Sequence, residues 1–291
     1  MEGTTTNSSD SKMFCHKGIH FVTGLTSSEY IDSLEHFEIK DDDVFLVTYP
    51  KSGTIWNQQI LSLIFHEGHR EGTENICTID RVPWLEYNIK NMDFNQRVSP
   101  RLFSTHLPHY LVPKDLRNKK GKVIYVFRNP KDAMISFYYF HQTVAELDHT
   151  TNLDDFIEKF LTGNVPSSSW FDHVRGWYTH REDFNILFIT YEEIIKDHRG
   201  AVLKLCDFLG KKLDDETVDR IVERSSFKNM KMDPTANYET TNKGQFCRRG
   251  TIGNWKTIMT VAQNEKFDKI LQDSKIEDLP IKFVWDINDN M

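Results

Sequence analysis

Between Tyr49 and Trp56 the chain reads YPKSGTIW, a run whose residue types suit the binding of a phosphate. A tight turn leading into a helix points its backbone N–H groups at an anion, and a neighbouring lysine adds a full positive charge. Gly53 lets the backbone approach closely, Ser52 and Thr54 offer hydroxyl donors, and Lys51 is the cation. The wiring differs from the nucleotide-triphosphatase loop G-x-x-x-x-G-K-S/T. Lys51 precedes the glycine, and no glycine stands five residues before Gly53. No G-x-G-x-x-G occurs either, which counts against a dinucleotide enzyme. Taken by itself, the segment also reads as a chance Ser-Gly helix start with an exposed lysine.

The surrounding pattern says what holds this loop. Short β-rich runs recur at Val44–Thr48, Leu102–Thr105, residues 123–127 and Ile186–Thr190. The last two are nearly continuous apolar runs, which predicts strands buried on both faces of a parallel sheet. After Gly53, the apolar positions Trp56, Ile60, Leu63 and Ile64 repeat at helical spacing. Asn129 followed by Pro130 predicts an N-cap and first helical residue, opening a helix through Leu147. The alternation predicts an α/β fold: a single domain over residues 13–291, with a central parallel sheet flanked by helices on both faces. Ligands in such folds sit at the carboxyl ends of the strands. Residues 49–56, residues 104–106, Arg128 and Tyr191 then fall on one edge, where four separate segments converge.

Composition narrows the classes. The 291 residues are 38% hydrophobic and 27% charged, ordinary for a globular protein. A net charge of −7 argues against a general nucleic-acid binder. The longest strongly apolar run, residues 60–65, is far short of the roughly 20 residues that span a bilayer. Residues 1–12 are polar with no apolar core, so they read as a frayed tail rather than a secretory signal, and the Asn7-Ser8-Ser9 triplet carries little weight. Cys15, Cys77, Cys206 and Cys247 lie far apart with no CxxC pair, which predicts reduced, buried or half-buried thiols in a cytoplasmic protein.

In order along the chain, YPKSGTIW, RLFSTHLP, VFRNPKDAMISFYYF, TYEE, SSFKNM and RRGTIGNWK closely resemble the cytosolic sulfotransferase family, over roughly residues 18–285. Six motifs at consistent spacing are far more specific than any one of them. The resemblance implies a sulfuryl donor, 3′-phosphoadenosine 5′-phosphosulfate, and no metal. It places Lys51, Ser52, Gly53 and Thr54 around the 5′-phosphosulfate, with Ile55 and Trp56 also on the donor and Lys51 balancing charge on the leaving oxygen. Trp56 offers a flat face to the adenine, though it also fits the apolar stripe of its helix. Arg128 and Ser136 match the pair for the 3′-phosphate, where a guanidinium fork suits a dianion. Arg248, Arg249 and Gly250 match an Arg-Lys-Gly element closing on the same phosphate, with arginine replacing the lysine. Tyr191, Ser225 and Phe227 match positions holding adenine and ribose; threonine is common where Ser225 stands. His106 matches the base that takes the acceptor's proton. The remaining histidines read as structural, including His66 and His69, whose HEGH spacing misses the i,i+4 zinc pair.

The same resemblance places Trp84, Tyr87, Phe140 and Tyr238 in an apolar pocket for a small acceptor carrying a hydroxyl or amine. Two departures stand out. Phenol-specific members carry lysine two residues before the histidine, where this chain has Ser104, and the segment between Tyr238 and Arg248 is shorter here. The runs DVFLVTYPKSGTIW and DRVPWLEYNI look most like the amine-sulfotransferase branch. Lys256, Thr260, Val261 and Glu265 match a dimer segment, which implies a small symmetric homodimer interface across residues 256–265, though an ordinary helix start fits them too. A catalytically silent nucleotide-binding member is the competing expectation, opposed by retention of Lys51 and His106. A nucleotide kinase would need a Walker-type loop and a magnesium-holding acid, and no convincing set is present.

Overall fold

A computed structural model of the chain describes residues 11–70, 72–238 and 248–289. A hairpin of β1 (Met13–His16) and β2 (Ile19–Val22) comes first, followed by β3 (Val44–Thr48), β4 (Leu102–Thr105), β5 (Lys122–Phe127) and β6 (Ile186–Thr190). The last four form an all-parallel sheet in the order β4-β3-β5-β6. Side chains alternate between its two faces, as a pleated strand requires. Phe45 and Val47 of β3 point to one side with Phe103, Val123 and Tyr125. Val44 and Leu46 point to the other with Leu102, Ile124 and Val126.

Each face is covered by helices, so the central strands are buried twice over. The first face packs against Pro130–His141, Leu153–Leu161, Trp170–Thr179 and Val261–Asp273. The second packs against Thr54–Phe65, His198–Leu209 and Asp215–Arg224. The rings of Phe45 and Phe103 stack with centroids 5.2 Å apart. Truncating such a ring in a closed core costs about 3–5 kcal/mol. At the amino ends of β3 and β4, Asp43 and Arg101 form a fully buried pair, with Arg101 Nε donating to Asp43 Oδ1 at 2.8 Å.

The register brings the carboxyl ends level: Val47 opposes Thr105 and Tyr125, Thr48 opposes Val126, and Phe127 opposes Thr190. Each strand therefore delivers its next residue to one edge, His106 from β4, Tyr49 from β3, Arg128 from β5 and Tyr191 from β6. Among the described residues no helix is long and apolar enough to cross a membrane.

Four expectations need correction. The helix capped by Asn129 stops at His141, not Leu147. Beyond it, Val144 and Leu147 turn into a small cluster with Val22, and the carbonyls of Ala145 and Leu147 accept from Lys12 Nζ instead of a helical ladder. Strand β6 is an edge strand, so Ile186, Leu187 and Phe188 are half-buried rather than enclosed on both faces. Cys15 is exposed on the hairpin, while Cys77 is half-buried and Cys206 buried; Cys247 lies outside the described residues. Of the expected tail, residues 1–10 lie outside the described residues, but Lys12 is engaged as above. The β1–β2 hairpin was not expected. Its Lys17-Gly18 turn takes two left-handed residues (φ 49° and 83°), which suit a two-residue hairpin turn.

Candidate active site

Strand order sets the layout of the edge. His106 lies on the β4 side of the loop that follows β3, while Arg128 and Tyr191 lie on its β5 and β6 side. The base candidate and the nucleotide-side residues therefore flank the loop from opposite directions. Between them runs a cavity of about 460 Å³ lined by Lys51, Gly53, Thr54, Ile55, Trp56, His106, Arg128, Ser136, Tyr191, Phe227, Arg248, Arg249, Gly250, Trp84, Tyr87, Phe140 and Tyr238, among others. Of the residues singled out in the sequence, Ser52 and Ser225 do not line it.

His106 is fixed from three directions. The β3–β4 ladder ends at Val47 and Thr105, and the next β3 carbonyl, that of Thr48, accepts from the His106 ring at Nδ1, 2.6 Å away. The backbone N–H of His106 donates to Glu86 Oε1 at 2.6 Å, and its carbonyl accepts from His173 Nε2 at 3.1 Å. A carbonyl cannot donate, so Nδ1 carries the hydrogen and Nε2 keeps its lone pair. Burial lowers the His106 pKa to about 4; the bond to Thr48 opposes this and the charge of Lys51 reinforces it. The ring is thus neutral near pH 7, the form a proton acceptor needs. Burial also raises Glu86 to about 7, against the stabilising bonds from the His106 N–H and the Thr105 hydroxyl.

On the other side of the loop the lining is cationic. Lys51 sits in the left-handed region (φ 68°), and Gly53, also left-handed (φ 94°), caps the helix Thr54–Phe65. A Cβ on Gly53 would come within 2.7 Å of the Tyr191 ring, so the loop needs glycine for space as well as for conformation. The Lys51 ammonium lies 4.0 Å from the centroid of Phe140. Arg128 donates to the carbonyls of Lys51 (3.3 Å) and Thr251 (3.0 Å), and its guanidinium lies 4.2 Å from the Tyr191 centroid. Gly250, left-handed at φ 64°, lays its backbone against the Phe227 ring, while Arg248 covers Tyr139 at 4.6 Å and Arg249 donates to Asn254 at 2.5 Å. Asp132 anchors this segment by accepting from the N–H groups of Gly253 (2.7 Å) and Trp255 (3.0 Å). Trp56 packs on the core, as the apolar stripe of its helix implies, and also edges Tyr191, with ring centroids 5.5 Å apart.

Three buried donors around this end find no partner among the described residues: Ser52 Oγ, Arg128 Nε and Arg248 Nε. Orphaned buried donors are rare in native proteins and fit a site shaped for an anion. Ser225 is different. Its hydroxyl, fully buried, is bonded to the Ile221 carbonyl (2.6 Å) and His198 (3.0 Å), and it is the Ser225 carbonyl that meets Trp56 Nε1. Capping its own helix end turns that hydroxyl away from the cavity.

The remaining wall is apolar. Trp84 bridges to Ser104 beside β4, and its ring lies 4.5 Å from His106 and 6.3 Å from Tyr87. The Ser104 hydroxyl is buried under this wall. It accepts from Gln58 Nε2 at 2.8 Å, and Gln58 Oε1 accepts from the Tyr238 hydroxyl at 2.7 Å. The residues between Tyr238 and Arg248 lie outside the described residues. Thr48, Glu86 and His173 surround His106 but escaped the sequence reading. Only Glu86 left a trace there, as a charge inside the apolar run WLEY.

Residues 41–280 match the model of the sulfotransferase domain family. The chain belongs to the sulfotransferase family. It is 53% identical to the amine sulfotransferase of Oryctolagus cuniculus, over 94% of this chain and 93% of that protein. Against the 3-beta-hydroxysteroid sulfotransferase of Cavia porcellus the identity is 40%, over 93% and 96%. The fold matches the crystal structure of mouse sulfotransferase SULT7A1 complexed with PAP, with a TM-score of 0.78, 32% identity and coverage of 91% and 94%. This sulfotransferase therefore sits in the amine-sulfotransferase-like branch, as its DVFLVTYPKSGTIW and DRVPWLEYNI runs imply.

Proposed function

We propose that this sulfotransferase moves the sulfuryl group of 3′-phosphoadenosine 5′-phosphosulfate to a hydroxyl or amine of a small, largely apolar acceptor. The observation that carries the reading is the neutral His106, its Nε2 lone pair available, in one cavity with Lys51 and the orphaned donors of Arg128 and Arg248, with that of Ser52 buried in the loop behind. The donor, when bound, supplies the sulfuryl group. Lys51, Ser52, Gly53, Thr54 and Ile55 hold its phosphosulfate end; Arg128, Ser136, Arg248, Arg249 and Gly250 hold the 3′-phosphate. Trp56, Tyr191 and Phe227 flank the adenosine, with Ser225 contributing through its bond to Trp56 rather than by contact. His106 Nε2 takes the proton of the acceptor, and the Lys51 ammonium balances charge on the leaving side. Trp84, Tyr87, Phe140 and Tyr238 exclude water and orient the acceptor. None of these roles calls for a metal.

The dimer segment belongs to the same proposal. Thr260 caps the helix Val261–Asp273 in a capping box with Gln263, Val261 is 75% exposed and Glu265 is exposed. An exposed valine at a rigid helix start suits a small symmetric contact with a second copy, and the cytoplasm is the compartment proposed.

Thermal stabilisation tests the donor. Adenosine 3′,5′-bisphosphate at saturating concentration is expected to raise the melting temperature by several degrees, and ATP by much less. Stabilisation by ATP alone would sink the reading. His106→Ala is expected to keep the bisphosphate response and lose about 10²–10⁴-fold in turnover.

A further inference from the structure

Two buried hydroxyls link the base to the phosphate loop, and the sulfuryl-transfer reading gives a task to Thr54 but none to Thr48 or to the link between them. Thr48 ends β3 and Thr54 opens the helix after the loop; they are 0% and 6% exposed, with their hydroxyl oxygens 2.6 Å apart. Thr48 Oγ1 also lies 3.1 Å from His106 Nδ1. The hydrogen inventory fixes the direction of this chain. Nδ1 carries its hydrogen because it faces the Thr48 carbonyl, and it shares that hydrogen with Thr48 Oγ1. With Nδ1 already protonated, Thr54 Oγ1 is the one side-chain acceptor left to the buried Thr48 hydroxyl among the described residues, so Thr48 donates to it. Among the described residues Thr48 is the one side-chain partner of Thr54, so the Thr54 hydrogen is left to point into the cavity that Thr54 lines. Packing alone does not call for a hydroxyl at position 48. Valine has the same branched shape, fills the preceding position, and would bury no polar group.

We propose that Thr48 is a positioning residue that passes the charge gained at His106 on to the anion site through Thr54. When Nε2 takes the acceptor's proton, the ring becomes cationic and Nδ1–H becomes a stronger donor. Each hydroxyl is then polarised in the same sense, which strengthens the Thr54 bond toward the oxygen on which negative charge grows. No proton travels along the chain: every hydrogen stays on its own atom, and the acceptor's proton rests on Nε2. The inference depends on His106 being the base and the loop at Lys51 being the donor site.

The test uses Thr48→Val, Thr48→Ser, Thr54→Val and the Thr48→Val/Thr54→Val double variant of the full chain. Thr48→Val is expected to lower kcat about tenfold, the scale of one hydrogen bond to a charged group, while bisphosphate affinity stays within about twofold. Thr48→Ser should retain kcat within about threefold. In the Thr54→Val background, removing the Thr48 hydroxyl should cost less than about threefold, because the chain is already cut. An independent reading leaves Thr48 untouched: Thr54→Val, which never contacts the imidazole, should move the acid limb of kcat down by about half a pH unit. Four outcomes would overturn the relay. These are wild-type kcat in Thr48→Val, the same fold loss in both backgrounds, bisphosphate affinity falling in step with kcat, or an acid limb unmoved in Thr54→Val. Turnover surviving in His106→Ala takes down the base assignment and the relay with it. An inactive His106→Ala beside a fully active Thr48→Val takes down the relay alone.

Discussion

The cationic end of the cavity is made of strand ends and turns, whereas the apolar end is made of side chains borrowed from distant loops. Arg128 and Tyr191 each follow directly from a strand of one parallel sheet, and Lys51 and Gly53 sit in the tight turn between β3 and its helix, so their positions are set close to the backbone ladder. Trp84 and Tyr87 share one segment, while Phe140 comes from a helix end and Leu147 and Tyr238 from two further segments, all outside the four-stranded sheet. A backbone-built site tolerates little drift and suits one invariant ligand. A loop-built wall can be recut without disturbing the sheet, which suits variation in acceptor.

The contrast can be broken from either side. Lys51→Met should give the largest effect, lowering kcat by about 10²–10³-fold while acceptor KM stays near wild type; steady-state kinetics showing the loss in acceptor KM instead would blur the two ends into one. Arg128→Ala comes next, weakening adenosine 3′,5′-bisphosphate roughly 10–100-fold in calorimetric titration, since a charge-assisted fork is lost and the carbonyls of Lys51 and Thr251 lose their donor. Affinity within twofold of wild type would remove Arg128 from the nucleotide side. Tyr87→Ala should raise acceptor KM by roughly tenfold through lost apolar contact, with bisphosphate affinity unchanged. A matching loss of bisphosphate affinity would show that the wall supports the cationic end.

The smallest effect reads both ends together. Burial holds His106, His109, His141 and His198 at about 4 and His173 at about 3, so these rings are neutral in the fold and bind protons once unfolded near 6.5. Their contribution to stability is therefore lost as pH falls from about 6.5 to 4. Glu86 and Glu192, both raised to about 7 by burial, act in the opposite sense above about 4.5. Five histidines outweigh two glutamates, so the melting temperature should fall on acidification from pH 6.5 to about 4. A melting temperature that rises over that range in a calorimetric series would contradict the buried, neutral histidines.

The cationic end was legible because its chemistry is local. Lys51, Ser52, Gly53 and Thr54 are consecutive, and the apolar runs before them announce the strands that set Arg128 and Tyr191 beside them. What stayed hidden depends on long-range placement. Nothing adjacent to Thr48 in sequence tells that its carbonyl meets a ring 58 residues away. The Asn129 helix read as too long because Val144 and Leu147 keep a helical spacing while packing on Val22, a contact no local rule supplies. Ser225 matched by residue type, yet the end of its own helix claims the hydroxyl.

Lys12 looks like the last residue of a dispensable leader, yet its ammonium holds the carbonyls of Ala145 and Leu147 in the turn that lines the acceptor side. One turn of the cavity wall is thus tied to a residue 133 positions upstream of it. Trimming the chain by a dozen residues, a routine step when a protein is prepared for crystals or assays, is therefore expected to loosen that turn and shift acceptor KM, with bisphosphate affinity near that of the full chain.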